Sequence, residues 1–361
     1  MELQYPPQRR KSRAVKAGSI IIGGGFPVSI QSMTNTDTRD VKATVKQIKR
    51  LTRAGCDIIR VAVPDMQAAS KLAEIKSKIS IPLVADIHFK YKLALEAIRQ
   101  GVDKIRINPG NIGEDWKVKE VTQAAKDAEI PIRIGANSGS LPDDLVKKYG
   151  RDNPETFVIA ALRQIEILES KDFRDIVISL KSTNVNTAFW AHLLMAEKVD
   201  YPFHLGITEA GTLQTGTIKS SVGLGAMLMH GIGDTIRVSL TADPVKEIFV
   251  AKSILKSLEL KKEGVEIISC PTCGRCQIDL IPLAESIEKK TRHIKTPLKV
   301  AVMGCVVNGP GEAAAADIGI TGGNGVGLLF KKGKIIKKFP EDKLEDVLLE
   351  EIEKMTGDRK K

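Results

Sequence analysis

From about residue 28 to about residue 258, short runs rich in Ile and Val alternate with helix-length amphipathic stretches, and this rhythm sets the architecture. Strands are expected at Val28 to Ser32, Asp57 to Val63, Pro82 to Ala85, Asp103 to Asn108, Pro131 to Ala136, Arg174 to Lys181, Tyr201 to Gly206 and Thr235 to Leu240. A helical stretch follows each, for example Val41 to Ala54, Pro154 to Ser170 and Pro244 to Leu258. Eight strand-helix units in roughly 250 residues have the length and count of an α/β TIM (β/α)8 barrel, whereas a doubly wound sheet would have fewer strands. After Gly264 the pattern changes. Val265 to Ile268, Lys299 to Met303, Asp317 to Thr321 and Val326 to Phe330 read as strands, with helices at Asp279 to Thr291 and Pro340 to Met355. The chain is therefore expected to divide into a barrel over 1–260 and a smaller α+β domain over 264–361.

Several barrel strands carry cations out of phase with their apolar residues. Arg60 lies between Ile59 and Val61, and Arg106 and Asn108 alternate with Ile105 and Ile107. Arg133 and Asn137, Ser179 and Lys181, and Arg237, Ser239 and Thr241 repeat the pattern. Because successive side chains point to opposite faces and Ile and Val must face the helices, these polar groups point into the barrel or its mouth. An unpaired buried cation costs several kcal/mol. Inward carboxylates could pair with any one of these cations, but obvious inward acids are few. The simpler source of negative charge is a phosphate-bearing ligand at the C-terminal mouth, where barrel enzymes place their sites. Asp86, His88, Glu209, Lys219, Ser220 and Ser221 lie just past strand ends, where the mouth loops begin. Taken singly, such loop residues are more often surface or capping groups than catalysts.

The formal net charge of +11 suits an acidic ligand or protein partner. Nucleic acid is disfavoured, since the excess lies in surface runs such as Lys331-Lys332-Gly333-Lys334 and aromatics amount to 4%. No apolar run reaches about 18 residues and no apolar stretch follows the basic N-terminus, so neither a membrane span nor a secretory signal is expected, and a cytoplasmic location follows.

Five cysteines, three within Cys270-Pro-Thr-Cys273-Gly-Arg-Cys276, argue for ligation or redox chemistry over a disulfide framework. Cys270 and Cys273 can share one metal centre, to which Cys305, on a glycine-rich loop, could add a third thiolate. Two readings compete. Either Cys276 completes an all-cysteine electron-transfer cluster, or a non-cysteine ligand leaves one iron reachable by substrate. Cys56 reads as a small buried hydrophobe.

The segments Ser269-Cys-Pro-Thr-Cys273-Gly-Arg and Met303-Gly-Cys305-Val-Val-Asn308-Gly-Pro-Gly-Glu312-Ala resemble the C-terminal domain of the IspG/GcpE family in its bacterial two-domain form. These are the 4-hydroxy-3-methylbut-2-enyl diphosphate synthases, reductive enzymes of the non-mevalonate isoprenoid pathway. The N-terminal half is similar in Val28-Ser-Ile-Gln-Ser-Met-Thr-Asn-Thr36, Ala85-Asp86-Ile-His88-Phe, Arg106-Ile-Asn108-Pro-Gly110-Asn111 and His204-Leu-Gly-Ile-Thr-Glu209-Ala-Gly.

The resemblance implies a 4Fe-4S cluster held by Cys270, Cys273, Cys305 and Glu312, with Cys276 as an inert departure from the family pattern. It implies 2-C-methyl-D-erythritol 2,4-cyclodiphosphate as substrate, gripped by Arg60, Arg106, Arg133, Lys181 and Arg237. Asn108, Ser239, Lys219 and Ser220 join that binding set. By the same likeness Glu209 is the candidate proton donor, Asp86 and Asn137 position the substrate, and His88 and His204 are secondary candidates. Glu312 would act as the exchangeable ligand. A head-to-tail homodimer and reduced flavodoxin or ferredoxin as electron donor are likewise implied. A pterin-binding barrel of the dihydropteroate synthase type, or a basic nucleic-acid-binding protein with structural zinc, are the competing expectations.

Overall fold

The computed structural model describes residues 8–305 and 315–357, and its chain contacts divide it into two compact units between Lys261 and Lys262. The first unit opens with a hairpin, β1 (Val15–Ala17) and β2 (Ile20–Ile22). The barrel strands follow as β3 (Ser29–Met33), β4 (Ile58–Ala62), β5 (Leu83–Asp86), β6 (Lys104–Arg106), β7 (Ile132–Asn137), β8 (Ile176–Lys181), β9 (His204–Leu205) and β10 (Thr235–Ile236). They pair in parallel in the order β8-β7-β6-β5-β4-β3-β10-β9. A parallel bridge from Ile178 to Phe203 joins the two ends of that order, making the TIM barrel.

The expected strands at Tyr201 to Gly206 and Thr235 to Leu240 shrink to two residues each. In both, a carboxylate takes an amide that a longer ladder would use. Phe203 N–H donates to Asp234 Oδ2 at 2.8 Å, and Leu240 N–H to Glu247 Oε1 at 3.0 Å.

The helices form where amphipathic spacing and caps coincide. In Val41–Ala54 the buried Thr44, Val45, Ile48 and Leu51 make one face; Asp40 accepts from the Ala43 amide, and Gly55, at φ 106°, ends the helix. The helix Pro244–Ser257 starts on Asp243, whose side chain accepts from the Val245 amide.

The outward residues of the strands, among them Ile59, Val61, Ile105, Ile107, Ile132, Ile134, Ile178 and Leu180, merge with the helices into one apolar layer. The inward residues split by depth. At the N-terminal end Ile58, Val84 and Val177 pack against Val15, Ala17 and Ile22 of the hairpin, which plugs the barrel floor. Gly18, at φ 57°, makes the hairpin turn; a Cβ there would come within 2.5 Å of Asp103 Oδ1. Above this floor the inward residues are polar.

The second unit is a five-stranded sheet, β11 (Val265–Ser269), β12 (Leu298–Met303), β13 (Ile318–Gly323), β14 (Val326–Lys331) and β15 (Lys334–Pro340), in sequential order. The first three strands are parallel and the last two antiparallel. Helices Leu280–Thr291 and Leu344–Thr356 bury Ile287, Leu348 and Ile352 against the sheet. β15 is an addition to the expected strands. Lys332 and Gly333, both at positive φ, form a two-residue hairpin turn between Lys331 and Lys334. Exposed lysines at Lys334, Lys337 and Lys338 suit an edge strand.

Candidate functional site

The polar interior of the barrel follows from strand alternation. Arg60 from β4, Lys104 and Arg106 from β6, Arg133 from β7 and Lys181 from β8 are all buried, and Arg237, just past β10, is half-buried. The buried carboxylates beside these six cations are Asp86, at the end of β5, and Glu247, from the helix Pro244–Ser257. A third buried acid, Asp234, is taken up by Arg9, Ser12 and the Phe203 amide.

Asp86 is the hub. Its Oδ2 stands 3.8 Å from Arg60 Nε and 3.6 Å from His88 Nε2, and its Oδ1 3.4 Å from Arg106 Nη1. Burial pushes its pKa up, but Arg60, His88, Arg106 and Arg133 outweigh that and hold the carboxyl well below its usual range. Arg60 also donates to Met33 Sδ at 3.1 and 3.0 Å, weak acceptance for a buried guanidinium, and burial pulls its pKa down to about 10. Glu247 serves the opposite wall, accepting from Ser32 Oγ at 3.2 Å and standing 4.0 Å from Arg237 Nε.

These two carboxylates leave much cation unmatched. Arg133 Nε and Nη1 and Lys104 Nζ are enclosed without hydrogen-bond partners among the described residues. Burial, reinforced by the neighbouring cations, drives Arg133, Lys181 and His204 well below their ordinary pKa values. Room for Lys181 comes from Gly206, where a Cβ would lie 3.0 Å from its Nζ. Enclosed cations and amides with no acceptor mark a place built for an anion.

The other expected site residues fall at varied depths. His88 is exposed and its ring nitrogens lie 3.1 Å from Arg106 Nη1. Asn108 is buried and caps the short helix Pro109–Ile112, accepting from the Gly110 amide. Asn137 and Ser239 are half-buried, and Ser179 is buried in β8. His204 is fully buried in β9 with both ring nitrogens unpartnered among the described residues. Glu209 is exposed at φ 50°, a strained conformation for a non-glycine residue, in the loop between β9 and the helix Leu213–Met229. Lys219 is half-buried along that helix, and Ser220 lies fully buried on its inner face. Lys104 and Glu247 were not anticipated. Lys104 carries a readable signal, since it stands two residues before Arg106 in the same alternation; Glu247 looks like an ordinary acidic residue of a first helical turn.

In the second unit, parallel pairing of Ser269 with Val302 makes β11 and β12 end side by side, so Cys270 and Gly304-Cys305 leave the same sheet edge. The Gly304 amide donates to Cys270 Sγ at 3.3 Å. Cys305 is buried, Cys270 half-buried and Cys273 exposed, and all are free thiols. Cys276 is half-buried against the same apolar cluster as Cys270, its Sγ donating to Ile278 O at 3.3 Å; a Cβ on Gly304 would lie 2.5 Å from it. Among the described residues no three His, Cys, Asp or Glu side chains are assembled for a metal ion. Glu312 lies outside the described residues. Free thiols at Cys270 and Cys305 on neighbouring strand ends, one accepting an amide hydrogen, with Cys273 three residues on, nonetheless fit a thiolate-held iron centre. Cys56 is buried, and its thiol is pushed up to about 12 by that burial.

Among the described residues no helix is long and apolar enough to cross a membrane. Residues 12–252 match the family model described as the GcpE TIM-barrel domain, and 266–354 the one described as the GcpE protein C-terminal domain. A protein of Caldanaerobacter subterraneus subsp. tengcongensis named 4-hydroxy-3-methylbut-2-en-1-yl diphosphate synthase (flavodoxin) is 61% identical over 96% of this chain and 98% of its own. One of the same name from Clostridium perfringens is 60% identical over 96% and 99%. Among solved structures, dihydropteroate synthase of Yersinia pestis aligns with 68% of this chain and 98% of its own at TM-score 0.49 and 15% identity, too remote to bear on function.

Proposed function

Because the chain belongs to the GcpE family, both of whose domains it carries in order, we propose that its barrel grips a cyclic diphosphate while its cysteine unit supplies the electrons. The protein is an oxidoreductase, a 4-hydroxy-3-methylbut-2-enyl diphosphate synthase of the non-mevalonate route to isoprenoids. The reaction opens the ring of 2-C-methyl-D-erythritol 2,4-cyclodiphosphate, takes up two electrons and a proton, and releases water. The pterin-binding and zinc readings are set aside by the full-length likeness.

The observation that carries the barrel's role is the excess of enclosed cations over carboxylates. Arg60, Arg106, Arg133 and Lys181 come from different strands and Arg237 from the segment after β10, so bound phosphate oxygens would receive charge-assisted hydrogen bonds in an enclosed site. Asp86 keeps Arg60 and Arg106 oriented, and with Asn137 would position the substrate. Asn108, Ser239, Lys219, Ser220, His88 and His204 complete the proposed binding set. Glu209, exposed on a strained mouth loop, is the proposed donor of the proton that leaves with the hydroxyl as water.

The family's enzymes are iron-sulfur proteins. Here Cys270, Cys273 and Cys305 would hold a 4Fe-4S cluster, with Glu312 as fourth ligand. When bound, such a cluster supplies the electrons and an iron site open to exchange, because a carboxylate leaves more readily than a thiolate. The relatives' name points to reduced flavodoxin as donor, and ferredoxin is the alternative. A head-to-tail homodimer, and a cytoplasmic location, complete the proposal on family likeness. Anaerobic turnover of the cyclodiphosphate with an artificial reductant tests it. Glu209→Gln should keep the cluster absorbance while losing most turnover; wild-type turnover in that variant would remove Glu209 from the mechanism.

A further inference from the structure

Lys104 lies one inward step below Arg106 on β6. It is fully buried, and its Nζ has no hydrogen-bond partner among the described residues. The groups that act on it are Arg60 on β4, Arg133 on β7 and His204 on β9, and Lys181 on β8 has the same three neighbours. Asp86, the carboxylate beside Arg60, is already shared with Arg106.

We propose that Lys104 is mostly a neutral amine in the free enzyme at pH 8 and takes up a proton from solvent when the diphosphate binds, acting as a charge-adjusting residue of the substrate site. This rests on the reading of the barrel as the diphosphate site. Its physical basis is that an ammonium enclosed without an acceptor can lose its proton and relieve the repulsion, as the guanidinium groups beside it cannot; Lys181, which burial and the same cations also lower, shares that capacity on β8. Burial, with Arg133 and Arg60, lowers its pKa to about 7. A bound diphosphate offsets most of that positive field, and the amine then gains a proton. The cyclic substrate carries one ionised oxygen on each phosphorus, and ring opening frees another. A group that can still become more positive is thus suited to hold the product's added charge as it forms. His204, in the same enclosure and unpartnered, is held neutral by burial and by Lys181, Arg133 and Lys104.

The test is anaerobic titration calorimetry of the oxidised holoenzyme with the cyclodiphosphate at pH 8, in buffers of different ionisation enthalpy. Wild type should absorb at least about one proton per ligand, and Lys104→Met should absorb about one fewer. Lys104→Arg, which retains a fixed positive charge, should also absorb about one fewer, and it keeps the question open to measurement if the Met variant does not fold. His204→Gln should absorb as many as wild type. Between pH 8 and 9.5 the wild-type Kd should weaken toward tenfold per pH unit more steeply than in Lys104→Arg. Binding without proton uptake in wild type, or unchanged uptake in both Lys104 variants, would overturn the inference and leave the diphosphate site standing. Absence of binding would overturn both.

Discussion

The barrel and the cysteine unit hold their functional side chains in opposite ways. In the barrel, five cations sit on strands or at their ends with their positions fixed by the ladder, and they are enclosed by the protein itself. In the cysteine unit the thiols lie on loops leaving β11 and β12, and among the described residues they form no assembled group. The barrel is organised by its fold and would wait for its anion; the cysteine loop would be organised by its iron. The cost falls differently as well. The barrel carries the cost of its crowded cations continuously, while a thiol loop without metal carries little.

Removing one thiol should give the largest and most one-sided effect. Cys305→Ser is expected to lose the bound iron, the broad absorbance near 400 nm and all measurable turnover. Calorimetry should still find cyclodiphosphate binding, since the enclosed cations all belong to the barrel unit. The reciprocal change should leave the iron untouched. Arg133→Gln removes an enclosed guanidinium with two unpartnered nitrogens, and truncating such a contact costs about 2–5 kcal/mol. The Kd of the cyclodiphosphate should therefore rise by on the order of 100-fold at unchanged iron content.

A smaller effect is expected in stability. Below pH 7 Lys104 is protonated in both folded and unfolded chains, and its burial penalty is felt in full. Between about 7 and the ordinary 10.5 the unfolded chain keeps a proton that the folded barrel has released, so this group makes stability rise with pH. Cys56 and Tyr201, both pushed up to about 12, act the other way at alkaline pH, where the unfolded chain ionises first. The readable quantity is therefore the difference between wild type and Lys104→Met in Tm from pH 7 to 9. It should favour the Met variant by a few kcal/mol at pH 7 and shrink as pH rises. The smallest effect belongs to Cys276, which packs into the core with its Sγ on Ile278 O. Cys276→Ala should keep the iron content and cost about 1 kcal/mol of folding stability, read from denaturant midpoints.

Much of this contrast was legible in the chain itself, and for a physical reason. Period-two alternation marks a strand's two faces, so Arg60, Arg106, Arg133 and Lys181 announced an unusual interior while their Ile and Val neighbours announced the helix layer. The same alternation includes Lys104, two residues before Arg106, but a lysine there reads equally as a solvated strand start. The hairpin Val15–Ile22 and strand β15 were missed where the apolar signal is short or diluted with lysine, although Gly18-Ser19 and Lys332-Gly333 are turn sequences in retrospect. Glu247 could not have been found by pattern, because its role depends on a helix start folding back over β3 and the segment after β10. The cysteine spacing left the fourth ligand open between Cys276 and another group, and Glu312 came from family likeness alone.

Calorimetric titration of iron-free protein with the cyclodiphosphate tests most directly whether the barrel site is complete without its iron partner. A stoichiometry of one ligand per barrel, with a Kd within about tenfold of that of the iron-loaded enzyme, is the expected result. Binding that appears only once the iron is restored would contradict it.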